Sequence, residues 1–84
     1  MKEQIRKALN QVDYYERLAD ERFEAYEADP TNTDREEAYD KAYELEFNAL
    51  VHAAHLISRF AGIDFLTAKQ LVNLKRNDLI AMFS

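Results

Sequence analysis

Apolar side chains recur at spacings of three and four over the first third of the chain, which is the period of an α-helix. Charged side chains such as Lys2, Asp13 and Arg17 fall on the opposite side of the helical wheel. The pattern predicts an amphipathic helix over residues 2–28, which ends before Pro30 because the residue before a proline avoids the α region. The apolar stripe consists of Met1, Ile5, Ala8, Leu9, Val12, Tyr15, Ala19, Phe23 and Tyr26.

A turn over residues 29–33 and a second long helix over residues 34–61 follow. Thr33 and Glu36 match the capping box, in which a threonine hydroxyl and a glutamate three residues later satisfy free backbone N–H groups. We therefore expect Thr33 to cap the helix, and Gly62 to end it. Because the connection is short, the two helices are expected to form an antiparallel hairpin.

The second helix has one narrow polar line, and it is apolar over most of its circumference from Phe47 to Ala61. A single neighbouring helix cannot cover so much apolar surface, so a second neighbour is required. The polar line is Lys41, Glu44, Asn48, His52, His55 and Arg59, and the apolar flanks are Leu45, Ala49 and Leu56 on one side and Phe47, Val51 and Ala54 on the other.

The C-terminal segment supplies that neighbour. Its apolar spacing predicts short helices over residues 65–73 and 77–83, with Asp64 or Thr67 capping the first and Asn77 the second. One bent helix fits the same pattern. The predicted fold is an all-α single domain over residues 1–84: a long antiparallel helical hairpin, then two short helices packed on the second long helix as a small helical bundle.

Composition excludes several classes of protein. The chain has no Cys, which excludes disulfides and cysteine zinc sites, and its one Gly leaves no room for a phosphate-binding loop. No apolar run reaches the roughly 18 residues of a membrane span, and the N-terminal sequence lacks the apolar stretch of a secretion signal. We expect a cytoplasmic protein with no cofactor, no membrane contact and no evident small-molecule substrate.

Charge is unevenly distributed along an acidic chain. The net charge is -5, and residues 1–58 carry 14 acids against 7 bases, whereas residues 59–84 carry a net charge of +2. The acidic hairpin suits either a basic partner surface or ordinary solubility. Lys75 and Arg76, between two short helices, are the basis of a nucleic-acid alternative, although a phosphate-binding surface is usually more basic than this chain.

Two sets of side chains are candidates for chemistry. His52 and His55 share one helix face and have the spacing of a metal-chelating pair, but the Glu-x-x-His pattern of di-iron helices is absent. The favoured interpretation leaves both histidines on the solvated polar line. Glu46 falls among apolar positions, where burial raises a carboxyl pKa, and a hydroxyl of Tyr43 or Tyr15 is the expected partner. A structural hydrogen bond is favoured over a catalytic acid, since no second catalytic group accompanies it.

A small core is marginally stable, so we expect a homodimer that buries the leftover apolar flanks, with a closed four-helix monomer as the alternative. The preferred function is a non-catalytic helical protein-interaction or assembly module that self-associates and binds another protein. Two alternatives stay open: a regulator that contacts nucleic acid through the weakly basic C-terminal segment, and a metal-binding bundle. The candidate interaction residues are Tyr14, Phe47, Val51 and Ala54.

Overall fold

Four α-helices and no β-strand make up the computed structural model, which covers residues 1–84. Helices α1 (Lys2–Ala28) and α2 (Thr33–Ala61) pack against each other as the long hairpin, and α3 (Phe65–Leu74) and α4 (Arg76–Phe83) follow. The predicted all-α fold is confirmed. The C-terminal segment forms two helices and not one bent helix.

The start of α2 differs by one residue from the prediction. Asn32, and not Thr33, is the N-cap: its side-chain oxygen accepts a hydrogen bond from the backbone N–H of Arg35 at 3.2 Å. Thr33 is the first helical residue. Asparagine is at least as good an N-cap as threonine. The helix therefore begins after Asn32, one position earlier than the capping box of Thr33 and Glu36 predicts.

The end of α2 is formed as expected by Gly62. Its φ of 67° is left-handed, a conformation that glycine adopts without steric cost, and its N–H donates to Ser58 O at 3.0 Å. Asp64 then caps α3 by accepting from the backbone N–H of Thr67 at 2.9 Å. The chain direction changes by 117° between α2 and α3.

No single helix has both the length and the hydropathy of a membrane span. Helices α2 and α3 meet these two criteria only when they are counted together across the bend between them.

Helix α4 differs from the prediction in its start and in its neighbour. It begins at Arg76 after Lys75, with no side-chain cap, so the expected cap at Asn77 is wrong. Its main packing partner is α1, whereas α3 packs on α2. At its C-terminal end it also meets α2, where the rings of Phe83 and Phe60 lie edge to face with centroids 5.5 Å apart. The expectation that both short helices pack on α2 is therefore half correct.

The hydrophobic core lies at the end of the hairpin that α3 and α4 cover. Twelve buried residues form one cluster there, drawn from all four helices. The largest fully buried side chains are Ile5, Leu9, Val12 and Val72. The requirement for a second neighbour of α2 is met by α3, and Ala54 on the predicted flank is 0% exposed.

The opposite end of the hairpin, residues 17–46, consists of two helices alone. Only two of the 14 buried residues, Ala19 and Ala42, lie within it, and both are outside the main core cluster. Phe23, on the predicted apolar stripe of α1, is 42% exposed there because no third helix reaches it. The radius of gyration is 14.5 Å, above the roughly 12 Å of a compact domain of this length. We call residues 17–46 the two-helix end and the remainder the four-helix end.

Candidate functional site

An open groove lined by aromatic side chains runs along one face of the two-helix end. Its wider part is a depression of about 190 Å³ over Ala19, and its narrower part, of about 70 Å³, continues toward Leu50. The rings of Phe23 and Tyr39 join the two helices, with centroids 5.2 Å apart. The aromatic groove is defined by Asp20, Phe23, Tyr39, Tyr43, Glu46 and Phe47.

Three of its aromatic side chains are extensively exposed. Phe23 is 42%, Tyr43 is 58% and Phe47 is 47% exposed. A single exposed aromatic residue needs no explanation, but several along one groove form the kind of apolar patch that marks an interaction site. Aromatic rings also contribute much of the binding energy at protein interfaces, because each buries a large area at a low cost in side-chain entropy.

Glu46 places a carboxylate among these rings. Burial raises the pKa of Glu46 above its ordinary value of 4.5, the charges of Glu16 and Asp20 raise it further, and Arg76 acts in the opposite direction. The Glu46 side chain forms no hydrogen bond within the protein and no salt bridge, so the expected partnership with Tyr43 or Tyr15 is wrong. This carboxylate can therefore accept a hydrogen bond or a cation from outside.

The structure separates the four predicted interaction residues. Phe47 lies in the aromatic groove, and Val51 is half-buried. Ala54 is 0% exposed, so it has no surface to offer to a partner and is corrected to a core residue. Tyr14 is 56% exposed, but it lines none of the depressions and its ring contacts Tyr15 edge to face at 5.2 Å.

Phe23 and Tyr43 are site residues that the sequence analysis missed, because helical periodicity assigned both to covered faces. The lengths of the predicted helices could have indicated that these residues are exposed. Helices α3 and α4 have 10 and 8 residues, or roughly 15 and 12 Å at 1.5 Å per residue. Such short helices cover only part of a hairpin whose helices have 27 and 29 residues.

Arg76 forms the main ionic contact between the C-terminal helices and α1. Its guanidinium donates to Asp13 Oδ1 at 3.0 Å and also to Glu16, and its Nε donates to the carbonyl of Val72 at 3.1 Å. Burial alone would lower the pKa of Arg76, but the hydrogen bonds and charges of Glu16 and Asp13 raise it. An open polar depression of about 480 Å³ surrounds this cluster, which also includes Lys75. Because the half-buried cation of Arg76 is already paired with Asp13 and Glu16, the cluster is explained by its structural role.

His52 and His55 are both exposed on α2. The ring of His55 packs on Phe65 at the start of α3, with centroids 4.5 Å apart. The structure brings together no group of three or more His, Cys, Asp or Glu side chains that could hold a metal ion. The metal-binding alternative therefore gains no third ligand from the fold.

The fold also separates charge along the long axis of the molecule. The two-helix end carries 11 acidic and four basic side chains, a net charge of -7. The rest of the chain has five acidic and seven basic side chains, a net charge of +2. Asp20 and Glu46, on the aromatic groove, belong to the acidic end.

Comparison of the chain with protein-family models, with curated protein sequences and with solved structures finds no match.

Proposed function

We propose that this protein is a small, non-catalytic protein-interaction module that docks its partner on the aromatic groove. The observation that carries the proposal is the joint exposure of Phe23, Tyr43 and Phe47 on one face of the two-helix end. Two helices side by side leave an apolar layer without a second layer to cover it, and a partner's side chains would supply that layer.

The shape of the aromatic groove favours a protein partner over a small-molecule substrate. Its parts, about 190 and 70 Å³, are open to solvent. Small-molecule sites are enclosed clefts of roughly 300–1,000 Å³ that bury most of the ligand. Acid–base catalysis would also need an enclosed site that positions a substrate, and the groove beside Glu46 is open to solvent.

Self-association remains a prediction, and a second copy docked on the aromatic groove would bury Phe23, Tyr43 and Phe47. Charge opposes this arrangement, because two grooves packed face to face would bring together two ends that each carry a net charge of -7. A different protein is therefore the partner that we propose first, with the homodimer second.

The nucleic-acid alternative has less support. It relies on the cations of the C-terminal segment, and Arg76 is engaged by Asp13 and Glu16. The Lys69 ammonium lies over the Phe47 ring, 5.6 Å from its centroid. Lys75 and Arg59 alone form a weak phosphate-binding surface, since affinity for nucleic acid grows with the number of phosphates neutralised.

Matched bait proteins test the proposed function. Tyr43 in the aromatic groove and Tyr14 outside it are the same residue type with nearly equal exposure, 58% and 56%. Wild-type, Tyr43→Ser and Tyr14→Ser baits are used in pull-downs from the source cell, and each captured protein is purified and rebound. We expect a partner that binds wild type and Tyr14→Ser directly but is lost with Tyr43→Ser. A partner that all three baits bind equally would show that the interaction surface lies elsewhere.

A further inference from the structure

We infer that the occupant of the aromatic groove is a basic amphipathic helix of another protein, with its apolar stripe on Phe23, Tyr43 and Phe47 and its cations beside Asp20 and Glu46. This inference rests on the proposed function and names the chemistry of the partner. It follows from the shape of the groove, from its charge, and from the way the chain uses its own cations.

The shape fits a helix of about three turns. Tyr39, Tyr43 and Leu50 follow one another along the same side of α2. At 1.5 Å per residue this line is about 16 Å long. An amphipathic helix that lies in such a groove presents apolar side chains at spacings of three, four and seven, which matches a row of aromatic rings on a neighbouring helix.

The negative charge of the groove favours a positively charged partner. Asp20 and Glu46 lie on the groove itself, and the two-helix end around them has a net charge of -7. Neither carboxylate has a salt-bridge partner within the chain. A lysine or arginine of the partner would supply the missing countercharge, whereas an acidic segment would add to the repulsion.

The chain's own cations do not neutralise these carboxylates. Arg76 is the cation whose charge acts on Glu46, but its hydrogen bonds go to Asp13 and Glu16 on α1. Lys69 packs over the Phe47 ring at one end of the groove. The interior of the groove is therefore left acidic, with basic side chains only at its boundary with the four-helix end.

A designed peptide of about 15 residues, or four helical turns, is the probe. It has leucines at spacings of three and four and lysines at the other positions. Two control peptides keep its length: one has the same composition with the leucines scattered around the helix, and the other has glutamate in place of lysine. Calorimetric titration measures each against the wild-type protein at low and high salt, and light scattering records the oligomeric state.

We expect the basic amphipathic peptide to bind at least about tenfold more tightly than either control, and to weaken as salt rises. Two pairs of variants locate the site: Tyr43→Ser against Tyr14→Ser, and Glu46→Gln against Glu44→Gln. Tyr43→Ser should weaken binding about tenfold, and Glu46→Gln several-fold, while Tyr14→Ser and Glu44→Gln leave it unchanged. Circular dichroism confirms that each variant is folded.

Several outcomes would overturn the inference. Equal binding of the three peptides, or no binding at all, shows that the occupant is not a basic amphipathic helix. Equal effects of the groove variants and their controls show that the peptide binds elsewhere. A homodimer abolished by Tyr43→Ser shows that a second copy is the occupant. The proposed function fails separately, since it requires a natural partner that is lost with Tyr43→Ser whatever that partner's charge.

Discussion

Arg76 on α4 donates a hydrogen bond from Nη1 to Asp13 Oδ1 on α1 over 3.0 Å, which joins residues 63 positions apart in the chain. The same side chain donates to Glu16 and to the carbonyl of Val72. One guanidinium therefore fixes the corner between α3 and α4 against the hairpin, because its planar fork holds several donors in a fixed geometry.

Replacing Arg76 by alanine should lower the free energy of unfolding by about 1.5–3 kcal/mol, the range of hydrogen bonds to charged groups. The Arg76 side chain is 14% exposed, but those of Asp13 and Glu16 are 36% and 43% exposed, so solvent screens these bonds in part and the lower end of this range is expected. Arg76→Lys should recover part of the loss, since an ammonium cannot reproduce the fork. Lys75→Ala is the matched control, because Lys75 is exposed and forms no salt bridge. Equal losses for the two alanine variants in urea unfolding would contradict this role.

Glu46 should make the stability of the protein depend on pH. Burial, with the charges of Glu16 and Asp20, raises the pKa of Glu46 above 4.5 in the folded state. The folded chain then binds this proton more tightly than the unfolded chain does. Glu46 therefore destabilises the fold increasingly as the pH rises above 4.5 and through the raised pKa.

Glu46→Gln tests that dependence. At neutral pH it should raise the free energy of unfolding by about 0.5 kcal/mol, as the removal of a like-charge contact does. The gain should disappear well below pH 4.5, where Glu46 is protonated in both states. Thermal unfolding across pH measures the difference, and Glu44→Gln, at an exposed position of α2, controls for loss of charge alone. A gain that is the same at every pH would rule out the proton linkage.

Ile57 and Leu50 lie on the same side of α2 by helical periodicity, but the structure buries them unequally. Ile57 is 3% exposed in the core, whereas Leu50 is half-buried where it lines the narrow part of the groove. Ile57→Ala should cost about 2–5 kcal/mol and Leu50→Ala less than about 2 kcal/mol. Leu66→Ala is the control, since Leu66 is 67% exposed. Chemical denaturation would contradict this packing if Leu50→Ala were the more damaging change.

Asn32 and Thr33 offer a direct test of which residue caps α2. Asn32→Ala should lower the free energy of unfolding by about 1 kcal/mol, because it removes the acceptor for the backbone N–H of Arg35. Thr33→Ala should have a smaller effect, within about 0.5 kcal/mol, since Thr33 is an exposed first-turn residue. Thermal melts of the two variants decide between the two caps. A larger loss of stability for Thr33→Ala than for Asn32→Ala would show that Thr33 caps the helix.

Features that depend on neighbouring residues could be predicted from the sequence. The period of the apolar positions located both long helices, and Pro30, Gly62 and Asp64 marked their ends and the next start. Competing local signals caused the errors at Thr33 and Asn77, where a side chain able to cap lies one or two positions after the residue that precedes the helix.

The candidate site depended on long-range packing. Phe47 was found because it lies on an apolar flank of α2, but Ala54 on the same flank is covered by the chain itself. Phe23 and Tyr43 have the spacing of core residues, and only the length and direction of α3 and α4 leave them exposed. Periodicity identifies the apolar face of a helix, but it does not tell which part of that face the rest of the chain covers.

The sequence by itself determined two long helices joined as a hairpin, a helical C-terminal segment and an α2 too apolar for one neighbour, because these follow from contacts and hydrogen bonds between residues a few positions apart. Only the tertiary structure decided that α4 packs on α1, that Arg76 is paired with Asp13, and that the two-helix end is left uncovered. The physical reason is that the turn at Gly62 sends the last two helices to one end of the hairpin, and no local pattern specifies that direction.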